Sequence, residues 1–263
     1  LTRFFSSEVA DEILEMHRKQ DVVIARNVIP HVKEILSIIE GLQKLTKDGG
    51  IAVTEFHHAQ LIVDDLQYDS IYHEHLFYFS LIGIIGLFKK FGLYAFDMIE
   101  SPISGGSVVL FLSTRKREKS KALSSALSVE ETSSLDKLET WKNFGSRAKN
   151  HSIDLFNLIE QYAGTQKIIA YGASARSSTM LNFAGIKCDL IEYIIDKNPL
   201  KAGKLTPGTD IPIVDFVEGL ERANNRPLLL LAWNFRDEII SELRSNGFNG
   251  KIILPLPKEI TIS

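Results

Sequence analysis

Residues 21–56 read DVVIARNVIPHVKEILSIIEGLQKLTKDGGIAVTEF. The opening DVVIARNV is a short apolar run that ends in the polar Asn27, the pattern of a buried strand. Pro30 marks a turn. From Val32 to Leu45 apolar residues recur at helical spacing, so an amphipathic helix is expected over residues 32–45, stopped by Asp48-Gly49-Gly50. Residues 50–56, GIAVTEF, then supply a second strand. Strand, helix and strand in this order make a right-handed βαβ unit with a parallel pair, and the fold class is therefore α/β. Ligands of open α/β sheets bind outside the carboxyl ends of the strands, which brings Asn27 and His31 to any active site.

Outward from this unit the pattern continues. Upstream, residues 7–18 carry Val9, Ile13, Leu14 and Met16 at helical spacing behind a Ser6-Ser7 cap. Downstream, residues 81–91 form a helix with Lys89 and Lys90 in its last turn before Gly92. Strands over residues 93–99 and 107–112 are joined by Ser101-Pro-Ile-Ser-Gly-Gly, a hairpin connection. Parallel strands closed by an antiparallel hairpin have the layout of the second half of the class I S-adenosylmethionine methyltransferase fold, an analogy that carries no chemistry by itself. Residues 129–162 read as one long helix with a polar side, a bridge between lobes. From Lys167 a second series begins. Residues 167–176, KIIAYGASAR, are strand, tight turn and helix start; strands follow at 190–195, 227–233 and 251–254, with a helix at 236–245. The expected division is a first domain over residues 1–115, a helical bridge over 116–164, and a second, smaller Rossmann-like lobe over 165–263.

Composition narrows the class. A chain of 263 residues with 44% apolar and 24% charged residues is an ordinary globular protein of one or two domains. A net charge of -3 with no basic run argues against nucleic-acid and anionic-membrane partners. Cys188 is the one cysteine, so a disulfide framework or zinc cluster within the chain is not expected, and a reducing cytoplasmic setting is. The longest apolar run, residues 81–87, is far too short to span a membrane. Leu1 in place of Met, with Phe4-Phe5 close behind, reads as an excised piece of a longer chain.

Two stretches carry chemistry. Residues 68–80, YDSIYHEHLFYFS, crowd His73, Glu74 and His75 between Tyr72 and Tyr78. A pair of histidines beside a carboxylate offers a proton acceptor, a donor and a group to set the tautomer. The bland reading is a polar surface loop, since so short a motif has many false positives. The run Gly172-Ala-Ser-Ala-Arg-Ser is a weakened dinucleotide fingerprint, with serines where the second and third glycines would stand. Its helix start still offers free N–H groups to phosphate. Asp196 ends the next strand where such folds recognise a hydroxyl, and the loop after it carries Lys197, Lys201 and Lys204.

Taken together, RNVIPHV, YDSIYHEHLFYFSL, SGGSVVLFL, AYGASARSSTMLNFAGI and IDKNPLKAGKLTPGTDIPI resemble, in order and spacing, the sugar C-methyltransferase family. Its members methylate C3 of nucleotide-linked 4-keto-deoxysugars with S-adenosylmethionine as donor. The resemblance implies a partial methyltransferase domain over residues 1–115 and His75 as the base, with Tyr72 and Glu74 lining the same pocket. His31 matches the family's other active-site histidine; the chemistry suggests it as a donor to the oxyanion or a sugar hydroxyl, and Glu74 as a cofactor or tautomer-setting contact. Asn27 is assigned to the cofactor, and His73 to structure or solvent. Family members also carry a four-cysteine zinc module and a Gly-rich cofactor loop. Neither occurs in this sequence, so no metal ligands, an incomplete S-adenosylmethionine site and little activity are expected of this chain alone. The strand at residues 21–28 is then expected to leave an apolar edge open to self-association.

The partner implied is a dTDP-sugar, held on the last lobe by Tyr171, Gly172, Ala173, Ser174 and Arg176 in the turn and by Asp196, Asn198, Lys201 and Lys204 beyond the next strand. Two rivals stand. One is an NAD(P)-dependent oxidoreductase or epimerase that uses the turn for its cofactor and Asp196 for a ribose. The other is a non-catalytic nucleotide-binding module.

Overall fold

The computed structural model describes residues 2–164 and 166–263, which pack as two units, one made of Leu1–Leu61 and His73–Thr140, the other of Ile62–Tyr72 and Trp141–Ser263. The first unit opens with α1 (Ser7–Met16), whose N-terminus is capped by the Ser6 hydroxyl accepting from Val9 N. There follow β1 (Gln20–Arg26), α2 (Ile35–Leu45), β2 (Thr46–His57) and the short α3 (Ala59–Asp64), which runs on into the second unit. After the histidine run come α4 (Leu81–Lys90), β3 (Tyr94–Ser101), β4 (Ser107–Ser113) and α5 (Lys121–Ser133). The sheet order is β1-β2-β4-β3: β1 and β2 are parallel, and β4 is antiparallel to both its neighbours. This is the expected parallel arrangement closed by a hairpin. Ile39 and Leu42 of α2, Leu81, Ile84 and Phe88 of α4, and Leu123 of α5 pack with Ala52, Phe56, Leu110 and Leu112 of the sheet. Each of the leucine, isoleucine and phenylalanine side chains removed from water contributes roughly 1.5–3 kcal/mol. β1 forms an edge, with Val22 and Ile24 51% and 63% exposed.

Three local expectations change here. The helix expected from Val32 begins at Ile35, because Pro30 lies in a separate 3-10 turn, Ile29–His31. The glycine pair does not stop α2. Thr46 does so: its hydroxyl donates to Leu42 O at 2.7 Å while its backbone turns extended. Gly49 and Gly50 then lie inside β2, opposite an irregular register on β1. A Cβ on Gly50 would stand 3.0 Å from Asp21 O, so the glycine permits close strand approach. The long helix of residues 129–162 is two helices. α5 ends at Ser133, Ser134 takes a left-handed φ of 58°, and α6 (Leu138–Ala163) starts afresh.

In the second unit α6 leads to β5 (Ile168–Tyr171), α7 (Ala175–Ala184), β6 (Ile191–Ile195), β7 (Ile213–Val214), α8 (Phe216–Glu221), β8 (Leu228–Leu230), α9 (Arg236–Ser245), β9 (Ile252–Leu254) and β10 (Thr261–Ile262). The order is β10-β9-β8-β5-β6-β7, parallel except for β10. The chain winds from β5 outward to β7, then returns to the other side of β5 with β8. Strand order therefore reverses between β5 and β8, and their carboxyl ends form the crevice where doubly wound sheets bind ligands. The strand expected over residues 227–233 shortens to Leu228–Leu230, since Leu231 N and Ala232 N turn to Tyr171 O. Among the described residues no helix is long and apolar enough to cross a membrane.

Candidate functional site

In the first unit, β1 delivers Asn27 at its carboxyl end with φ 51°, its N–H bonded to Glu55 O at 3.1 Å. The 3-10 turn then presents His31. Pro30 O accepts from Leu76 N at 2.8 Å and Phe77 N at 3.3 Å, which clasps this turn to the histidine run. His31 Nδ1 lies 2.9 Å from the carbonyl oxygen of Glu74. The rings of His31 and His75 meet with centroids 4.9 Å apart at 57°, and Tyr78 lies edge-on to His75 at 6.1 Å. His31 is exposed and His75 half-buried, while the side chains of His73 and Glu74 reach solvent. Tyr72 belongs to the segment Ile62–Tyr72 of the second unit.

The far end of the run is anchored by residues the sequence did not single out. Phe79 O accepts from Ala59 N, and the Ser80 hydroxyl caps α4 through Gly83 N. Glu130, buried on α5, accepts from Leu81 N and Ile82 N at 2.6 Å each and lies 2.9 Å from His58 Nε2. Burial pushes this carboxyl up, but the bonds from His58 and the two amides hold it below the ordinary glutamate value. The positive end of α4 thus receives a carboxylate from another helix. At the carboxyl end of β2, Glu55 is fully buried and bonded by Arg26 at 2.5 Å and Ser107 at 2.7 Å. Burial raises it, yet these bonds leave it depressed overall. Glu55 is therefore committed, while Asn27 at the end of β1 is exposed. No Gly-rich turn follows β1 or β2. Among the described residues no group of His, Cys, Asp or Glu is arranged to hold a metal ion.

In the second unit the turn after β5 is built as expected and partnered differently. Gly172 takes φ 94°, and a Cβ there would stand 2.7 Å from Ala232 Cβ. Ser174 and Ser177 form a reciprocal capping box at the start of α7. Asp196 Oδ2 accepts from Ala173 N at 2.8 Å and Lys201 Nζ at 3.0 Å, while Oδ1 accepts from Asn198 N at 2.9 Å. Lys201 also donates to Ala173 O at 2.7 Å. The Tyr171 hydroxyl is buried, and its pKa is pushed up to about 12 by that burial and by the carboxylates of Glu242 and Asp196. Lys204 is exposed.

Arg176 turns toward Asp69, donating to it through Nε at 2.9 Å and Nη2 at 2.8 Å, with its guanidinium 4.9 Å from the Trp233 ring centroid. Trp233 Nε1 donates to the same carboxylate at 2.8 Å. Asp69 stood inside the quoted histidine run, but no periodicity marks an acid that will be wholly buried. A separate apolar cleft of about 800 Å³ lies along α6 and α7, lined by Tyr68, Phe144, Ile153, Phe156 and Phe183 among others. None of the site residues expected from the sequence lines it.

Residues 102–257 match a family profile described as the C-methyltransferase C-terminal domain, and residues 2–96 match one described as a methyltransferase domain. The chain is 30% identical over 265 residues to "C-methyltransferase NovU" of Streptomyces niveus, covering 98% of this chain and 62% of that protein. It thus spans less than two thirds of that relative's length. A solved structure titled "crystal structure of M1.HpyAVI" aligns over 85% of this chain and 96% of its own, at 12% identity and a TM-score of 0.28, too low to define a shared fold.

Proposed function

The chain belongs to the C-methyltransferase family, and on that premise we propose that it acts in methyl transfer from S-adenosylmethionine to C3 of a dTDP-linked 4-keto-deoxysugar. The C4 carbonyl acidifies the C3 hydrogen, and His75 removes it as general base. The observation that carries this reading is the contact of His31 with His75, centroids 4.9 Å apart, beside the Glu74 carbonyl at the carboxyl side of the sheet. Charge that develops at O4 needs a hydrogen-bond donor, and Tyr72 and Glu74 are the other members of this run assigned to the reaction. S-adenosylmethionine supplies an electrophilic methyl group, with Asn27 as its contact on this chain. The nucleotide diphosphate is assigned to the second unit, at the α7 start from Gly172 to Ser174, with Lys204 as counter-charge and Asp196, Asn198 and Lys201 shaping the loop; Arg176, expected there, is instead committed to Asp69.

The oxidoreductase alternative is not favoured. Asp196 already accepts three hydrogen bonds from its own loop and turn, which occupies the carboxylate that would hold a ribose.

Deprotonation can be tested without the methyl donor. A dTDP-4-keto-2,6-dideoxysugar incubated with the protein in D2O should take up deuterium at C3, followed by NMR. His75→Ala should abolish this uptake while dTDP binding, measured by calorimetry, persists. Undiminished uptake in that variant would remove His75 from the mechanism.

A further inference from the structure

We infer that His31 acts in this reaction as a proton acceptor through Nε2, carrying the proton away from His75, and not as the donor expected from the chemistry of the sequence. The inference rests on the proposed function. Its ground is the tautomer. His31 Nδ1 lies 2.9 Å from Glu74 O, and a carbonyl oxygen only accepts, so Nδ1 bears the hydrogen. A neutral imidazole has a single N–H, which leaves Nε2 as a lone pair. In that state Nε2 has no proton to give to an oxyanion. It has a place to receive one.

The surroundings keep this tautomer. Pro30, next to His31, accepts from Leu76 N and Phe77 N, so the 3-10 turn that carries His31 is held against the run that carries the Glu74 carbonyl. Exposure then sets a direction. His75 is half-buried and His31 exposed, with the rings 4.9 Å apart, so a proton taken inside has a neighbouring ring from which water can remove it. Protonation at Nε2 also turns the Nδ1–H bond to Glu74 into a charge-assisted one, which strengthens it.

The steps balance. The C3–H bond breaks, its electron pair stays on the sugar as the enolate, and the proton bonds to a ring nitrogen of His75. That ring then passes an N–H proton to His31 Nε2, directly or through one water. His31 becomes an imidazolium with both nitrogens protonated, and loss of a proton to solvent returns both rings to their starting state. Two adjacent imidazolium rings repel, so the outward transfer must precede the next deprotonation.

Two measurements test this. Long-range 1H–15N spectra of the labelled protein at pH 8 should show His31 with Nδ1 protonated and Nε2 unprotonated. The reverse tautomer overturns the inference whether or not any sugar is turned over. The second uses C3 deuterium uptake. His31→Asn keeps an N–H donor near the Nδ1 position but has no group at Nε2. It should bind dTDP as the unaltered protein does, exchange C3 about 100-fold more slowly, and recover with added imidazole. Unslowed exchange in His31→Asn would make His31 only an anchor for Glu74 and sink the relay. Unslowed exchange in His75→Ala would instead sink the function on which the relay rests.

Discussion

Arg176 and Asp69 form a two-pronged ion pair inside the second unit, at 2.8 and 2.9 Å, with side chains 13% and 0% exposed. Trp233 completes the coordination of the carboxylate. The pair ties the segment Ile62–Tyr72 to the first turn of α7 and to the end of β8. Removing one partner strands the other charge in a desolvated place. Arg176→Ala should therefore lower stability by about 3–5 kcal/mol in urea titrations. A loss below about 1 kcal/mol would mean that water reaches Asp69 freely.

His151 gives the same unit a pH dependence. Its Nε2 donates to Pro255 O at 2.7 Å, so its Nδ1 accepts from the Tyr68 hydroxyl at 3.1 Å, and the ring is held neutral. Burial lowers its pKa from the ordinary 6.5, outweighing the carbonyl bond and the charges of Asp154 and Asp69. The unfolded chain thus binds this proton more readily than the folded one. Stability is fully present above about pH 6.5 and is lost as pH falls below it. Melting temperatures between pH 8 and pH 5 should decline on the acid side, and His151→Gln should flatten that decline. An equal slope in both proteins would assign the acid sensitivity elsewhere.

Glu130 should matter to the histidine run through α4. Without its carboxylate, Leu81 N loses its acceptor in a buried place and Ile82 N in a part-buried one, a cost of about 1–3 kcal/mol for the buried amide. In Glu130→Ala, hydrogen exchange at these two amides should accelerate more than in the middle of the helix. Unchanged protection there would show that the Ser80 cap suffices.

Gly172 is required by its conformation and its neighbour. At φ 94° a side chain is strained, and a Cβ would press on Ala232 Cβ at 2.7 Å. Gly172→Ala should destabilise by about 2–4 kcal/mol, combining backbone strain with overpacking. Thermal unfolding measures this directly; a neutral result would mean that the β5–α7 turn can move aside.

Much of the fold was legible because it depends on short-range pattern. The apolar alternations that place β1, α2, β2 and α4 lie within a few residues of one another, and α9 occupies the expected residues 236–245. The hairpin at Ser101–Ser107 was legible from its Gly-Gly and Pro. Boundaries moved where a distant partner decided them. Gly49 and Gly50 look like a helix stop until β1 is seen beside them, and residues 129–162 look continuous until Ser134 turns left-handed. Two-residue β7 and β10 offer too little sequence to carry a period.

By itself the sequence determined the α/β class, the parallel core strands and where titratable and phenolic residues crowd together, since period and residue type are local properties. Only the tertiary structure decided what those residues touch. It brings His31 against His75, sets His31 Nδ1 2.9 Å from the Glu74 carbonyl oxygen, and turns Arg176 toward Asp69. The physical reason is that a buried charge or ring nitrogen is governed by whichever group lies within about 3 Å of it. In this chain those groups come from positions far apart along the polymer.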